Sequence, residues 1–176
     1  MQTDNLLISI ICPDKQGLVS AITGTLFESG INLGDTTFTI LGEGAEFTAI
    51  CETPSGMSAN QLKELLQSIE ELQGADIGVK PFSYSTSHKE SDKVTHEIIL
   101  QGEDQPGLVA RLTELFADYD ANIVRMDTKK LVSANSSEYL IQLWVWIPYA
   151  RVDACLASVG STASLLNMRS VSHVAR

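Results

Sequence analysis

"CPDKQGLVSAITGTLFESGIN", Cys12 to Asn32, is answered ninety positions later by "GEDQPGLVARLTELFADYDAN", Gly102 to Asn122. Without a gap, Asp14 meets Asp104, Gly17-Leu18-Val19 meets Gly107-Leu108-Val109, Thr23 meets Thr113 and Asn32 meets Asn122. The apolar positions follow: Ile8 with Ile98, Ile10 with Leu100, Ile22 with Leu112, Leu26 with Phe116, and Leu33 with Ile123. Self-similarity at one fixed offset means that the chain is two copies of one unit.

Outward from the repeated phrase, each copy reads strand, helix, strand, strand, helix, strand. Leu6, Ile8, Ile10 and Cys12 alternate as a half-buried strand. Leu18, Val19, Ile22 and Leu26 recur at helical spacing, with Gly30 as the stop. A Thr-, Phe- and Ile-rich stretch follows, and Gly42 to Gly44 marks a hairpin turn within it. Leu62, Leu65, Leu66, Ile69 and Leu72 predict an amphipathic helix ending near Gly74, and Ala75, Ile77 and Val79 a last strand. Copy two predicts a strand over Val94 to Leu100, a helix over Leu108 to Phe116, and a hairpin from Asn122–Val132 to Tyr139–Ile147 around "SANSS". Val152, Cys155, Leu156 and Val159 mark its second helix, and a final strand runs from about Asn167 to Val174. The order βαββαβ, with both helices on one face of an antiparallel sheet, is the ferredoxin-like arrangement of the α+β class. Between the copies "SYSTSHKESD", Ser83 to Asp92, is polar and Ser-rich. The expected division is a first domain at 1–84, a linker at 85–92 and a second domain at 93–176.

Composition narrows the function. The formal net charge is −10, and the few Lys and Arg argue against direct nucleic-acid binding, which must neutralise phosphates. An acidic field favours solubility or a basic protein partner. No run approaches the roughly 20 apolar residues that a membrane-spanning helix needs. "MQTDNLLISIICP" has no basic region ahead of its short apolar run, so it reads as a strand and not as a signal peptide. The expected location is the cytoplasm. Cys12, Cys51 and Cys155 are odd in number, lack a C-x-x-C pair and sit in apolar surroundings, which suits buried thiols in a reducing compartment.

One strand departs from simple alternation. In "YLIQLWVWIP", Tyr139, Ile141, Leu143, Val145 and Ile147 share one face, while Leu140, Gln142, Trp144 and Trp146 occupy the other. A sheet covered by helices on one side ordinarily wets its other side. Trp144 and Trp146 are therefore the expected interface residues, packing against the other copy or another chain.

The phrase itself joins first strand to first helix. Asp14 and Asp104 suit a turn, and Gly17 and Gly107 admit a conformation or close approach that a Cβ would forbid. The helix openings at Leu18 and Leu108 offer unpaired N–H groups and a positive dipole end to a carboxylate. Asn32 and Asn122 start the second strand, whose first residue lies at the opposite end of the sheet from the first strand's exit. Turn-shaping alone would also select Asp and Gly, and both readings stay open.

Strand, D-x-x/P-G-L-V, amphipathic helix and Asn at the next strand resemble the ACT domain, a regulatory amino-acid-binding module, across nearly the whole chain. Two such domains and nothing else, in a small acidic chain, resemble the glycine cleavage system transcriptional repressor group. The resemblance implies ligand contacts at Asp14, Gly17, Leu18, Asp104, Gly107 and Leu108, with Asn32 and Asn122 at or near the interface. It implies a small amino-acid effector, glycine or serine by preference, and a DNA-binding transcriptional regulator as protein partner. It also implies self-association. Copy one departs from the pattern, with Gln16 where copy two has Pro106, so its loop is less pre-set.

Three rival readings compete. For an enzyme there is no G-x-S-x-G, H-E-x-x-H or P-loop. His88, His96 and His173 are dispersed, His96 on the core side of its strand, and Glu43 and Glu46 flank a turn. No catalytic residue, metal site or cofactor is expected. A redox sensor would rest on Cys12, with Lys15 as its one nearby cation, and a Cys12–Cys51 disulfide is excluded if the two end their strands far apart. A ligand-independent interaction module of the same fold, working through Trp144 and Trp146, is the third.

Overall fold

The computed structural model describes residues 4–132 and 137–175. The chain forms two compact units, Met1–Ser85 and Thr86–Arg176. In the first, β1 (Asp4–Pro13), α1 (Leu18–Glu28), β2 (Asn32–Leu41), β3 (Gly44–Thr53), α2 (Ala59–Gln67) and β4 (Asp76–Pro81) follow in order. In the second come β5 (His96–Glu103), α3 (Leu108–Asp118), β6 (Asn122–Val132), β7 (Ser137–Trp146), α4 (Val152–Leu165) and β8 (Met168–Val174). The sheet orders are β2-β3-β1-β4 and β6-β7-β5-β8, with every pairing antiparallel. This is the ferredoxin-like arrangement, twice. Of the expected "SANSS" turn, residues 133–136 lie outside the described residues.

The alternating residues fill the cores. Ile8 and Ile10 of β1 pack with Ile22 and Leu26 of α1, Phe47 of β3 and Leu62 and Leu66 of α2. Ile98, Leu100, Leu112, Phe116, Ile141, Leu143 and Val159 do the same in the second unit. Each such side chain contributes about 1.5–3 kcal/mol when fully removed from water. Where α1 ends at Gly30, with φ +71°, α3 ends at Asp120, with φ +52°. Both left-handed residues let the next amide reach back, Ile31 N–H to Leu26 O at 3.0 Å and Ala121 N–H to Phe116 O at 2.9 Å.

One local expectation needs correcting. The helix predicted through Leu72 stops at Gln67, Ile69 is extended at φ −72° and ψ 125°, and a 3-10 turn spans Glu70–Leu72. The Ser68 hydroxyl donates to Leu65 O at 2.6 Å, and the extended Ile69 turns both itself and Leu72 into the core. The stretch expected as a linker also carries structure. It ends in a 3-10 turn at Glu90–Asp92, where the Asp92 carboxylate accepts the Lys89 N–H at 2.7 Å.

Candidate functional site

Each D-x-x-G phrase is a tight loop fastened at two points. Leaving β1, the Asp14 N–H donates to Glu43 O at 3.1 Å, tying the loop to the β2–β3 turn. Lys15 then donates from Nζ to Glu71 O at 3.2 Å, beyond the end of α2. In the second unit Gln105, the counterpart of Lys15, donates from Nε2 to Leu166 O at 3.1 Å, beyond the end of α4. The residue after the conserved-in-both Asp is thus the loop's anchor to the second helix, a role sequence reasoning missed. Its only signal was a long N–H-bearing side chain at both offsets.

Glycine closes each loop. Gly17 and Gly107 are the N-caps of α1 and α3, with φ +82° and +80°. Their carbonyls accept the first helical bonds, from Ala21 at 2.8 Å and Arg111 at 3.1 Å. A Cβ at either would meet nothing within 4 Å. The glycine is therefore required by backbone conformation, and the space before it is open. No side chain caps either helix, so the first-turn amides keep the anion-binding character of a helix start. The Leu18 and Leu108 N–H groups are drawn into the turn, toward Lys15 O at 3.4 Å and Gln105 O at 3.3 Å. Their side chains, each 2% exposed, belong to the core.

The two carboxylates differ. Asp104 receives Lys130 Nζ, from β6, at 2.7 Å. The position matching Lys130 in the first unit is Ile40, and among the described residues no side chain is bonded to the Asp14 carboxylate. The Gln16-for-Pro106 exchange weakens the case for the first loop, and this second difference runs the other way.

Asn32 and Asn122 are not at the loops. Asn32 sits across from Glu52, which sits across from Asn5, whereas the Asp14 loop follows Pro13, across from Gly44. Eight residues of strand, roughly 27 Å at ~3.4 Å each, separate the two ends. The same holds for Asn122, across from Trp146 at the far end from Glu103. Asn32 Nδ2 donates to the Glu52 carboxylate at 3.0 Å, and Asn122 Nδ2 to Ser91 O at 2.8 Å, securing the 3-10 turn. No single unit brings its Asp, Gly and Asn together.

Trp144 and Trp146 are half-buried on the helix-free face of the second sheet. The Arg125 guanidinium lies over the Trp144 ring, 4.6 Å from its centroid, and is held there by Asp127 at 2.7 and 3.1 Å. Such a stack contributes about 0.5–1 kcal/mol. A groove of about 760 Å³, lined by Glu97, Ser172, His173, Val174 and Ala175, lies toward the end of the sheet remote from the Asp104 loop.

The remaining reactive groups are subdued. Burial pushes the Cys51 thiol up to about 11. It raises Cys155 too, and raises Cys12 against the opposing pull of Lys15. Cys51 pairs with Leu6, six residues along β1 from Cys12, which excludes a disulfide between them. His96 is buried, with Nδ1 3.0 Å from the Thr95 hydroxyl, and burial lowers its pKa. Among the described residues no cluster of His, Cys, Asp and Glu could hold a metal ion.

No family model matches the chain. In sequence it is similar to the glycine cleavage system transcriptional repressor of Escherichia coli strain K12, 27% identical over 153 residues, 85% of this chain and 77% of that protein. In structure it matches an unknown protein from Galdieria sulphuraria, with a TM-score of 0.75 at 19% identity over 99% of this chain and 100% of the other. It also matches a candidate glycine cleavage system transcriptional repressor, with a TM-score of 0.70 at 15% identity over 100% of this chain and 99% of the other. The chain repeats one ferredoxin-like unit and, over most of both units, is similar to the glycine cleavage system transcriptional repressor.

Proposed function

We propose that this chain is a non-catalytic regulator of glycine cleavage genes, acting by contact with a DNA-binding partner protein and responding to a small amino acid. The observation that carries the reading is similarity to a transcriptional repressor over 85% of the chain, spanning both units. The acidic charge of −10 supports a route through a protein partner and not through phosphates. Glycine and serine are the preferred effectors by the resemblance alone. The carboxylate of either would face the first-turn amides of α1, and its ammonium would face Asp14. In the second unit the ammonium would compete with Lys130 for Asp104, so the first loop is the better effector site on charge. Because Lys15 and Gln105 tie each loop to the end of the second helix, loop ordering would be felt there. Asn32 and Asn122 would complete a site only from a neighbouring unit or chain.

The partner contact is assigned to the Trp144 and Trp146 face. A ligand-independent interaction module through that face is the second reading, favoured by the Leu18 and Leu108 amides being turned to the loops' own carbonyls. The test is direct binding of the purified chain to a DNA-bound regulator of the glycine cleavage genes, with and without millimolar glycine. Binding that glycine changes several-fold supports the first reading. Binding indifferent to glycine supports the second, and absence of binding in both conditions removes both.

A further inference from the structure

The net charge of −10 is not shared evenly. Residues 1–85, the first unit, hold eleven Asp and Glu against three Lys and no Arg, a formal −8, and the second unit carries the remaining −2. On the first sheet this charge frames an apolar patch. Ile10 and Cys12 of β1 turn into the core, so Ile11 and Pro13 lie on the helix-free face. Ile11 stands directly across from Glu46 of β3 on one side and from Asp76 of β4 on the other. The next row along the strands on this face is Leu41, Gly44 and Pro13. Ile11 is 54% and Leu41 63% exposed, and Pro13 is exposed as well. Residues two apart along a strand lie about 7 Å apart, and adjacent strands about 4.8 Å. Ile11 and Pro13 are therefore direct neighbours, and Leu41 is reached across Gly44. A Cβ on Gly44 would meet only the Cys12 and Leu41 carbonyls, so among the described residues no side chain fills the gap. Glu43 lies in the turn after Leu41, and Asp14 follows Pro13, extending the acidic border.

The second unit shows that the fold does not demand this set. By register Gln101 stands for Ile11, Glu103 for Pro13, and Leu140 and Arg169 for Glu46 and Asp76. Gln101 is engaged within its own sheet, donating to Glu138 at 2.6 Å. An exposed apolar patch with a polar rim, not required for folding, marks an interaction site. We propose that this patch docks a basic protein segment. An apolar side chain of that segment seats over Gly44, between Leu41 and Pro13, and its Lys or Arg residues meet Glu46 and Asp76. Charge selects this occupant. The carboxylates repel nucleic acid, anionic lipid and the first unit of a second copy alike, and attract Lys and Arg. The inference stands apart from the Trp144 and Trp146 contact and from the amino-acid response, and depends on neither.

The probe is a set of short peptides that hold a single Leu, Val or Phe between Lys or Arg residues, with Glu in place of the basic residues as controls. Fluorescence anisotropy reads their binding to the full chain, and amide chemical shifts locate it. The basic peptides should bind, more weakly as salt rises, and should shift the amides of Ile11, Leu41, Gly44, Glu46 and Asp76. Ile11→Gln with Asp76→Arg, the second unit's own residues, should weaken binding roughly tenfold. Glu64→Arg, at an exposed position of α2, makes the same charge change on the helix face and should alter binding less than about twofold. A urea midpoint that matches the wild type shows that the double variant is folded. Asp76→Arg alone, at an exposed position, should weaken binding in the same direction. Failure of every basic peptide to bind, equal weakening by Glu64→Arg, or shifts confined to the strand of Trp144 would overturn the proposal. So would acidic peptides that bind as tightly as basic ones. A wild-type dimer in sedimentation velocity that Ile11→Gln disperses would overturn it too, because a second copy would then be the occupant.

Discussion

A left-handed backbone at Gly17 and Gly107 has a measurable consequence because there is room for a side chain at both. Gly17→Ala and Gly107→Ala should each cost about 1–2 kcal/mol from φ alone, with Asn costing less. Urea unfolding distinguishes this from steric crowding, which would penalise Asn more than Ala. His96 gives a second test. Burial lowers its pKa, so the unfolded chain binds that proton more readily than the folded one. Stability from the neutral imidazole is fully present above pH 6.5, the ordinary histidine value, and is lost as pH falls through the lower folded value. The wild type should therefore weaken on acidification by more than His96→Gln does. Equal pH dependence in the two proteins would show that the buried ring is not the group responsible. Both glycines and the core placement of His96 were legible in the sequence, through a phrase repeated at fixed offset and strict alternation along β5. Lys15 and Gln105 were not, since their acceptors lie 56 and 61 residues away and local periodicity is silent about contacts at such range.

At the level of elements, the βαββαβ order followed from patterning because strands of period two and helices of period 3.6 alternate cleanly in both copies. The break in α2 did not, because Ile69 and Leu72 keep helical spacing with Leu62 and Leu65 whether or not the backbone stays helical between them. Placement of Asn32 and Asn122 at the far end from the loops was legible from topology alone, and the register bears it out. The loop anchors make the next prediction. Gln105→Leu removes the donor to Leu166 O and leaves the sheet untouched. It should cost about 0.5–1.5 kcal/mol and speed amide exchange at Gly107 and Leu108 ahead of the rest of the second unit. Exchange speeded uniformly across that unit would mean that Gln105 serves global stability and not the loop.

For the whole molecule, duplication without identity is the informative feature. The two units share a fold and a loop geometry, yet Asp104 is paired with Lys130, while among the described residues no side chain is bonded to the Asp14 carboxylate. One first helix carries no charge before Glu28, whereas the other carries Arg111, Glu114 and Asp118. Such divergence was invisible to repeat detection, which registers what matches. The role of Lys130 became evident only when β6 was laid beside the loop.

Thermal unfolding of the full chain with millimolar glycine or serine tests the sensing role most directly. A ligand at about 100 times its dissociation constant stabilises by about 2.7 kcal/mol, which raises the midpoint by several degrees. The expected result is such a rise with one of the two amino acids, abolished when Gly17 and Gly107 are both replaced by Asn. Asn tolerates the left-handed backbone while filling the open space before each loop. A folded chain whose midpoint moves with neither amino acid, or moves equally in the doubly substituted protein, would contradict an effector site at these loops.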